Sequence, residues 1–510
     1  MSWVCLPYMI FFDIMQTEGQ IVLMEAYMKT YDIGNKRQVL WDTELADSSF
    51  GINLKMHSLT RKGSVLECDA PWEGEHSGYG KIIFDGEKYR FYYRGCGGND
   101  GVWKTENGDH YVWCVAYSYD GKTFEKPNLG ICEYNGSKDN NIIEMHDDYH
   151  LDNFSIMLDE SPNCTPDAKY KALKGSKLNG ERCLIYYKSA DGLHFEQVKV
   201  LDVKGFFDSM NIAFYDKTIG KYRLYMRDFH PLDENNKIEY EKENHVRDVR
   251  LCLSDDFINW TEPAPLVYSD PLEIQLYTNN IMKYFNSDVY LGMPTRYIDR
   301  APDEVNYKYL PDVGGFRPML LQLNGGRGGS AMTETMLMVS RDGYHFNRFR
   351  EAFFTSGIEN GENWVYGDGY FAYGMIETES DFYGEPKELS LYVGHGYRAR
   401  PLSFERYTIR IDGFYSWRAD FEEGKAVTKP LTFSGNTLSV NFATSALGYL
   451  RIRILDEDGA PIEGYDSGRL FGNSIDRPCD FEKSLSELCG KTVRLEFSMK
   501  DCDFYSFIFK

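Results

Sequence analysis

The sequence predicts an all-β fold, a five-bladed β-propeller followed by a C-terminal β-sandwich, from three observations. A short phrase closes a predicted strand four times: SYDGKTF at 118–124, SADGLHF at 189–195, SDDFINW at 254–260 and SRDGYHF at 340–346. Alternating, aromatic-rich runs fill the intervals, and helix signals are scarce. After about residue 420 the phrase stops while the strand pattern continues. Strand units repeating every roughly 70 residues are the mark of radial repetition, in which each unit buries its faces against its neighbours.

Each unit has the same order: an inner strand, a tight turn, a second strand, and the strand that ends in the phrase. In the first unit these are 79–84, 89–95 and 111–118; in the second 153–158, 170–175 and 183–189. The third has 211–215, 221–227 and 249–254, and the fourth 279–284, 289–297 and 335–340. A fifth inner pair is read at 366–377 and 389–398, with the run 406–414 closing the ring. Five blades is the expected count, with four or six as the neighbouring readings. Residues 1–39 are expected to be an N-terminal extension, 40–415 the propeller and 416–510 the sandwich, a brace for the last blade or a carbohydrate-binding unit.

The chain has 510 residues and a formal net charge of −22, which argues against nucleic acid or an anionic membrane surface as partner. A small-molecule carbohydrate fits better, and oligomeric state is not legible. Eleven scattered cysteines show no CxxC pair or zinc spacing, so reduced core thiols and a cytoplasmic location are expected. The first fifteen residues are apolar, lack a basic region and contain Asp13. They read as a signal or anchor, or as an unstructured stretch before a start at Met24 or Met28. No P-loop or nucleotide fingerprint is present, and no cofactor or metal is expected from the residues.

In a propeller the inner strands begin near the axis on one face. Glu73 and Glu75, Asp152, Asp208 and Glu273 stand at or just before those starts, accompanied by Asn153, Asn211 and Asn279. Carboxylates crowded into one funnel raise each other's pKa, which turns one into a proton donor at neutral pH. The second strand returns to the same face, and at its end stand Arg94, Arg227, Arg296 and Arg398, with Lys174 in the second unit. These can hold ligand hydroxyls, a carboxylate or a phosphate, or pair with the acids. Trp72, Trp103 and Trp364 fall near the rim, where they can stack on a sugar ring or serve as packing. His146 and His150, in HDDYHLD, either line the site or belong to a solvated loop. The Asp residues of the repeated phrase fall on turns at the outer edge and are read as structural.

The acids at inner-strand starts, the five-blade count and the trailing sandwich resemble glycoside hydrolase families 32, 43, 62 and 68. PWEGEHSGYGKIIFDGEKYRFYYRG and FDSMNIAFYDKTIGKYRLYMR are similar to a family-32-like branch. The resemblance implies one acid from each of the first three blades: a nucleophile or base, a transition-state stabiliser and a proton donor. By position these are Glu73, Asp152 and Asp208. The matching motifs differ here: Ser77–Gly78 stands where the family has Asp-Pro, Leu151–Asp152–Asn153 replaces Arg-Asp-Pro, and Asp208–Ser209 replaces Glu-Cys. The implied activity is glycoside hydrolysis of a small glycoside or oligosaccharide, fructoside- or arabinoside-like in the relatives. Phosphorolysis and non-catalytic carbohydrate binding are the alternatives. A Ca²⁺ in the axial channel is allowed by the resemblance alone.

Overall fold

Five largely antiparallel β units surround an axis in the computed structural model, which describes residues 30–96, 111–146, 153–238, 243–300, 307–312, 314–322, 329 and 331–510; in the fourth, Val267–Tyr268 adds a parallel outer strand. Blade one comprises Gly78–Phe84, Tyr89–Cys96, Tyr111–Ser118 and Ile142–His146. Blade two runs Phe154–Leu158, Tyr170–Leu178, Glu181–Ser189 and Glu196–Leu201. Blade three runs Ile212–Asp216, Lys221–Pro231, His245–Ser254 and Ala264–Pro265. Blade four is built on Ile281–Lys283, Tyr290–Gly292 with Thr295–Asp299, Ala331–Ser340 and His345–Phe354.

Blade five contains Tyr370–Phe371 and Ile376–Thr378, then Glu388–His395 and Ser403–Arg410. Its outermost strand is Thr60–Glu67, from the beginning of the chain. The ring is therefore closed by the N-terminal side. The run 406–414, expected to close it, instead supplies part of the blade's third strand. Pairing that strand with Thr60–Glu67 protects an edge that would otherwise expose unpaired backbone groups.

The blades cohere through apolar faces. Tyr92 and Trp113 meet Phe154 and Ile156 between blades one and two, and Phe91 meets Tyr392 and Phe404 between one and five. The sandwich is organised on the long strand Arg494–Phe509, which pairs with Leu438–Leu455, Tyr415–Ala419, Gly424–Thr428 and Gln38–Val39. Ala46–Phe50 and Ile52–Met56 also pair into this sheet. Residues expected as an extension or as the first part of the propeller thus supply sandwich strands, and the propeller's own strands run from Thr60 to Arg410.

The repeated phrase is a latch between blades. Ser118 donates to Asp120 (3.0 Å), Gly121 N–H donates to Ser118 Oγ (2.8 Å), and Asp120 accepts further turn amides. A tyrosine from the preceding blade then donates to the phrase glycine's carbonyl: Tyr392 to Gly121, Tyr92 to Gly192 and Tyr225 to Gly343, at 2.6, 3.0 and 2.7 Å. Those glycines have φ of +71° to +74°, and a Cβ on Gly343 would lie 2.7 Å from Tyr225 Oη. Only glycine meets both demands. The third phrase confirms the rule by its exception. Phe257 takes the glycine position at φ +66°, and the preceding blade has Leu173 where the others place tyrosine, so the ring fills the space in the core.

Candidate active site

Side chains at the inner-strand starts of blades one, four and five gather into one aromatic and basic cluster, the candidate funnel. Its hub is Tyr370, at the start of the blade-five inner strand, whose ring lies 6.2 Å from Tyr79, 5.8 Å from Tyr277 and 6.5 Å from Tyr397. Guanidinium groups cap these tyrosines: Arg94 lies 4.7 Å over Tyr79, Arg227 5.0 Å over Tyr277, and Arg398 5.3 Å over Tyr397. Cation–π contacts of this kind strengthen as the site is dried. Arg227 Nε stands 3.6 Å from Asp208, whose side chain is 30 % exposed. Arg227 also donates to the Tyr277 carbonyl at 2.6 Å, which fixes its fork beside the acid.

His76 joins the same cluster from blade one, with its ring 5.8 Å from Tyr397. Burial, then the Arg398 and Arg94 charges, lowers its pKa to about 3, so its imidazole is neutral at physiological pH. Arg398 itself sits at φ +67°, a left-handed conformation for a residue with a side chain, and its N–H donates to the Glu75 carbonyl at 2.8 Å. Several buried polar atoms here have no hydrogen-bond partner among the described residues. They are both amide atoms of Asn153, Asp208 Oδ1, Arg227 Nε and Tyr370 Oη.

The expected site residues separate into two groups. Asn153 is buried just ahead of the blade-two inner strand, and Arg94, Arg227, Arg398 and Asp208 join this cluster. Glu73 does not: its side chain is wholly buried in blade one, accepting from Tyr93 (2.5 Å), the Ala70 amide (3.0 Å) and Lys126 (2.6 Å). Asn211 and Asn279 are spent on the backbone, donating to Phe207, Ser209, Met210 and Tyr225 carbonyls. Arg296 turns outward to Glu334 and the Arg350 carbonyl, because strand alternation gives the inward place to Tyr297. Glu273 belongs to the rim, where it meets His230 (2.7 Å), which also bonds Asp248. Trp72 donates to Asn141 within blade one, and Trp364 to the Gly357 carbonyl. Lys174 lies near Glu144, whose pKa burial raises. Asp152, Trp103 and His150 lie outside the described residues, as does the side chain of His146.

Sequence reading missed the tyrosines and His76. Their signal was present in the Tyr-rich strand starts, but an isolated tyrosine in a strand reads as packing. Lys81, on the blade-one inner strand, places its ammonium 4.5 Å from the Tyr373 ring, fully buried and without a hydrogen-bond partner among the described residues. Among the described residues there is no group of three His, Cys, Asp or Glu side chains to hold a divalent cation.

No family model matches the chain, and no curated protein matches it. Solved structures share its general outline. An N-acetylgalactosamine deacetylase from F. plautii, in complex with blood group B trisaccharide, is 10 % identical; the match covers 72 % of this chain and 97 % of that one, with a TM-score of 0.42. A glycosyl hydrolase from Bacteroides ovatus is 14 % identical over 73 % of this chain and 93 % of its own, with a TM-score of 0.37. A structure from the GH130 family of mannoside phosphorylases, which contains glycoside hydrolases that target β-1,2 mannosidic linkages in Candida mannan, is 13 % identical, covering 69 % and 94 %, with a TM-score of 0.38.

Proposed function

We propose that the chain is a glycoside-cleaving enzyme and that the Tyr- and Arg-lined funnel is its active site. The observation that carries this reading is the gathering of Tyr79, Tyr277, Tyr370 and Tyr397 with Arg94, Arg227, Arg398 and the partly exposed Asp208 at the inner-strand starts, where Tyr370 Oη has no hydrogen-bond partner among the described residues. Buried polar groups without partners are costly, and a polyhydroxylated ligand offers the donors and acceptors they lack. The tyrosine faces supply surfaces on which a sugar ring can lie. Asp208, oriented by Arg227, handles the proton on the glycosidic oxygen or on water. Glu75 takes the blade-one role that was expected of Glu73, because Glu73 is locked to Lys126. Asp152 keeps the blade-two role by its place beside Asn153.

A screen of aryl glycosides and short oligosaccharides, with and without inorganic phosphate, tests the reading. Release of free sugar independent of phosphate is expected. A sugar 1-phosphate formed only with phosphate would reassign the arginines to phosphorolysis. Binding without cleavage of any member would leave a carbohydrate-binding propeller.

A further inference from the structure

A cavity of about 520 Å³ opens beside the funnel, between blades four and five, lined by Arg61, the 354–360 segment, Asp368, His395, Arg400 and Tyr407 among others. That volume is ordinary for a small-ligand site. At its floor Asp368 is 1 % exposed, and neither carboxylate oxygen has a hydrogen-bond partner among the described residues. His395 Nδ1 stands 3.4 Å away, and its Nε2 is bonded to the Tyr407 hydroxyl at 2.9 Å. The wall is preformed: Asn363 donates to the Ser356 and Ile358 carbonyls, and Arg400 is held by Glu362 at 2.8 Å. Arg61 is likewise held by a forked pair with Glu405.

We propose that this cavity is a second saccharide site, in which two neighbouring hydroxyls of one sugar donate to the two oxygens of Asp368. An enclosed carboxylate with only His395 Nδ1 near it, at 3.4 Å, is costly, and an O–H pair on adjacent carbons supplies donors without bringing a charge. A cation is disfavoured, because among the described residues no group of three His, Cys, Asp or Glu side chains that could hold one includes Asp368. The site is separate from the funnel and stands whether or not the funnel cleaves glycosides. The two share the 396–400 turn, which gives Gly396 and Arg400 to the cavity and Tyr397 and Arg398 to the funnel, and the 368–370 segment, which gives Asp368 to the cavity and Tyr370 to the funnel.

Crystals of the full chain soaked in methyl α-D-mannopyranoside, methyl β-D-galactopyranoside or methyl β-D-glucopyranoside test this directly. Density for a pyranoside in the cavity with two hydroxyls on Asp368 is the expected result. In solution, saturation-transfer NMR with the same glycosides should show affinity reduced about tenfold or more by Asp368→Asn. Asp208→Asn should leave occupancy of the cavity in place. Ordered water or a metal ion on Asp368 with no pyranoside in the cavity would overturn the proposal, as would binding undiminished by Asp368→Asn. If that variant does not fold, the wild-type density alone decides.

Discussion

Replacing Asp208 by Asn is expected to lower turnover by about 100- to 10 000-fold, the range over which a positioned proton donor or acceptor acts. The thermal midpoint should stay near that of the wild type. Asp208 is partly exposed, its nearest ionic partner is Arg227 at 3.6 Å, and Arg227 keeps its bond to the Tyr277 carbonyl without it. Asparagine preserves the shape and removes only the ionisable oxygen. The readout is kcat on the glycoside identified by screening, with the melting curve recorded on the same sample. Unchanged turnover would move the reacting centre to another carboxylate.

Lys81→Met is expected to make the protein more stable in mildly acidic solution. Burial lowers the Lys81 pKa to about 7 in the folded chain, whereas the unfolded chain keeps the ordinary value near 10.5. Between those two values the unfolded state binds more protons, so wild-type stability rises with pH across that window. Below about pH 7 the full cost of burying the charge is present, on the order of 4 kcal/mol. Methionine has a similar length and no charge, and it removes that cost. Urea unfolding at about pH 6 and again near pH 9.5 should show a large gain for the variant at the lower pH and a small one at the higher. A variant less stable than the wild type at about pH 6 would mean that the ammonium has a counter-ion in the channel.

The blade order was legible because the first four blades repeat a local pattern: alternation, a tight turn, and a serine–aspartate turn whose glycine, replaced by Phe257 in the third, takes positive φ. Ring closure was not legible. Thr60–Glu67 pairs with Ser403–Arg410 across more than three hundred residues, and neither strand carries a mark naming its partner. For the same reason the sandwich strands Ala46–Phe50 and Ile52–Met56 read as the start of the propeller. In the site, strand phase decided the outcome. Arg94, Arg227 and Arg398 were placed by counting to the strand end, but the same count chose Arg296 over Tyr297, one residue out of phase. Glu73 was chosen by its place before the strand, and no sequence signal tells that Lys126 lies 2.6 Å from it. Asn211 and Asn279 failed as ligand groups because an amide at a strand start has backbone carbonyls within reach.

The central claim, that the funnel is where a glycosidic bond is held for cleavage, is tested most directly by a crystal structure of the Asp208→Asn variant soaked with the oligosaccharide that the wild type cleaves. An intact saccharide lying against the Tyr79, Tyr277 and Tyr370 rings is expected. Its hydroxyls should bond Asn153 and Arg227, and its scissile oxygen should lie within hydrogen-bond reach of residue 208. An empty funnel, with the saccharide bound on the sandwich or elsewhere on the propeller, would contradict it.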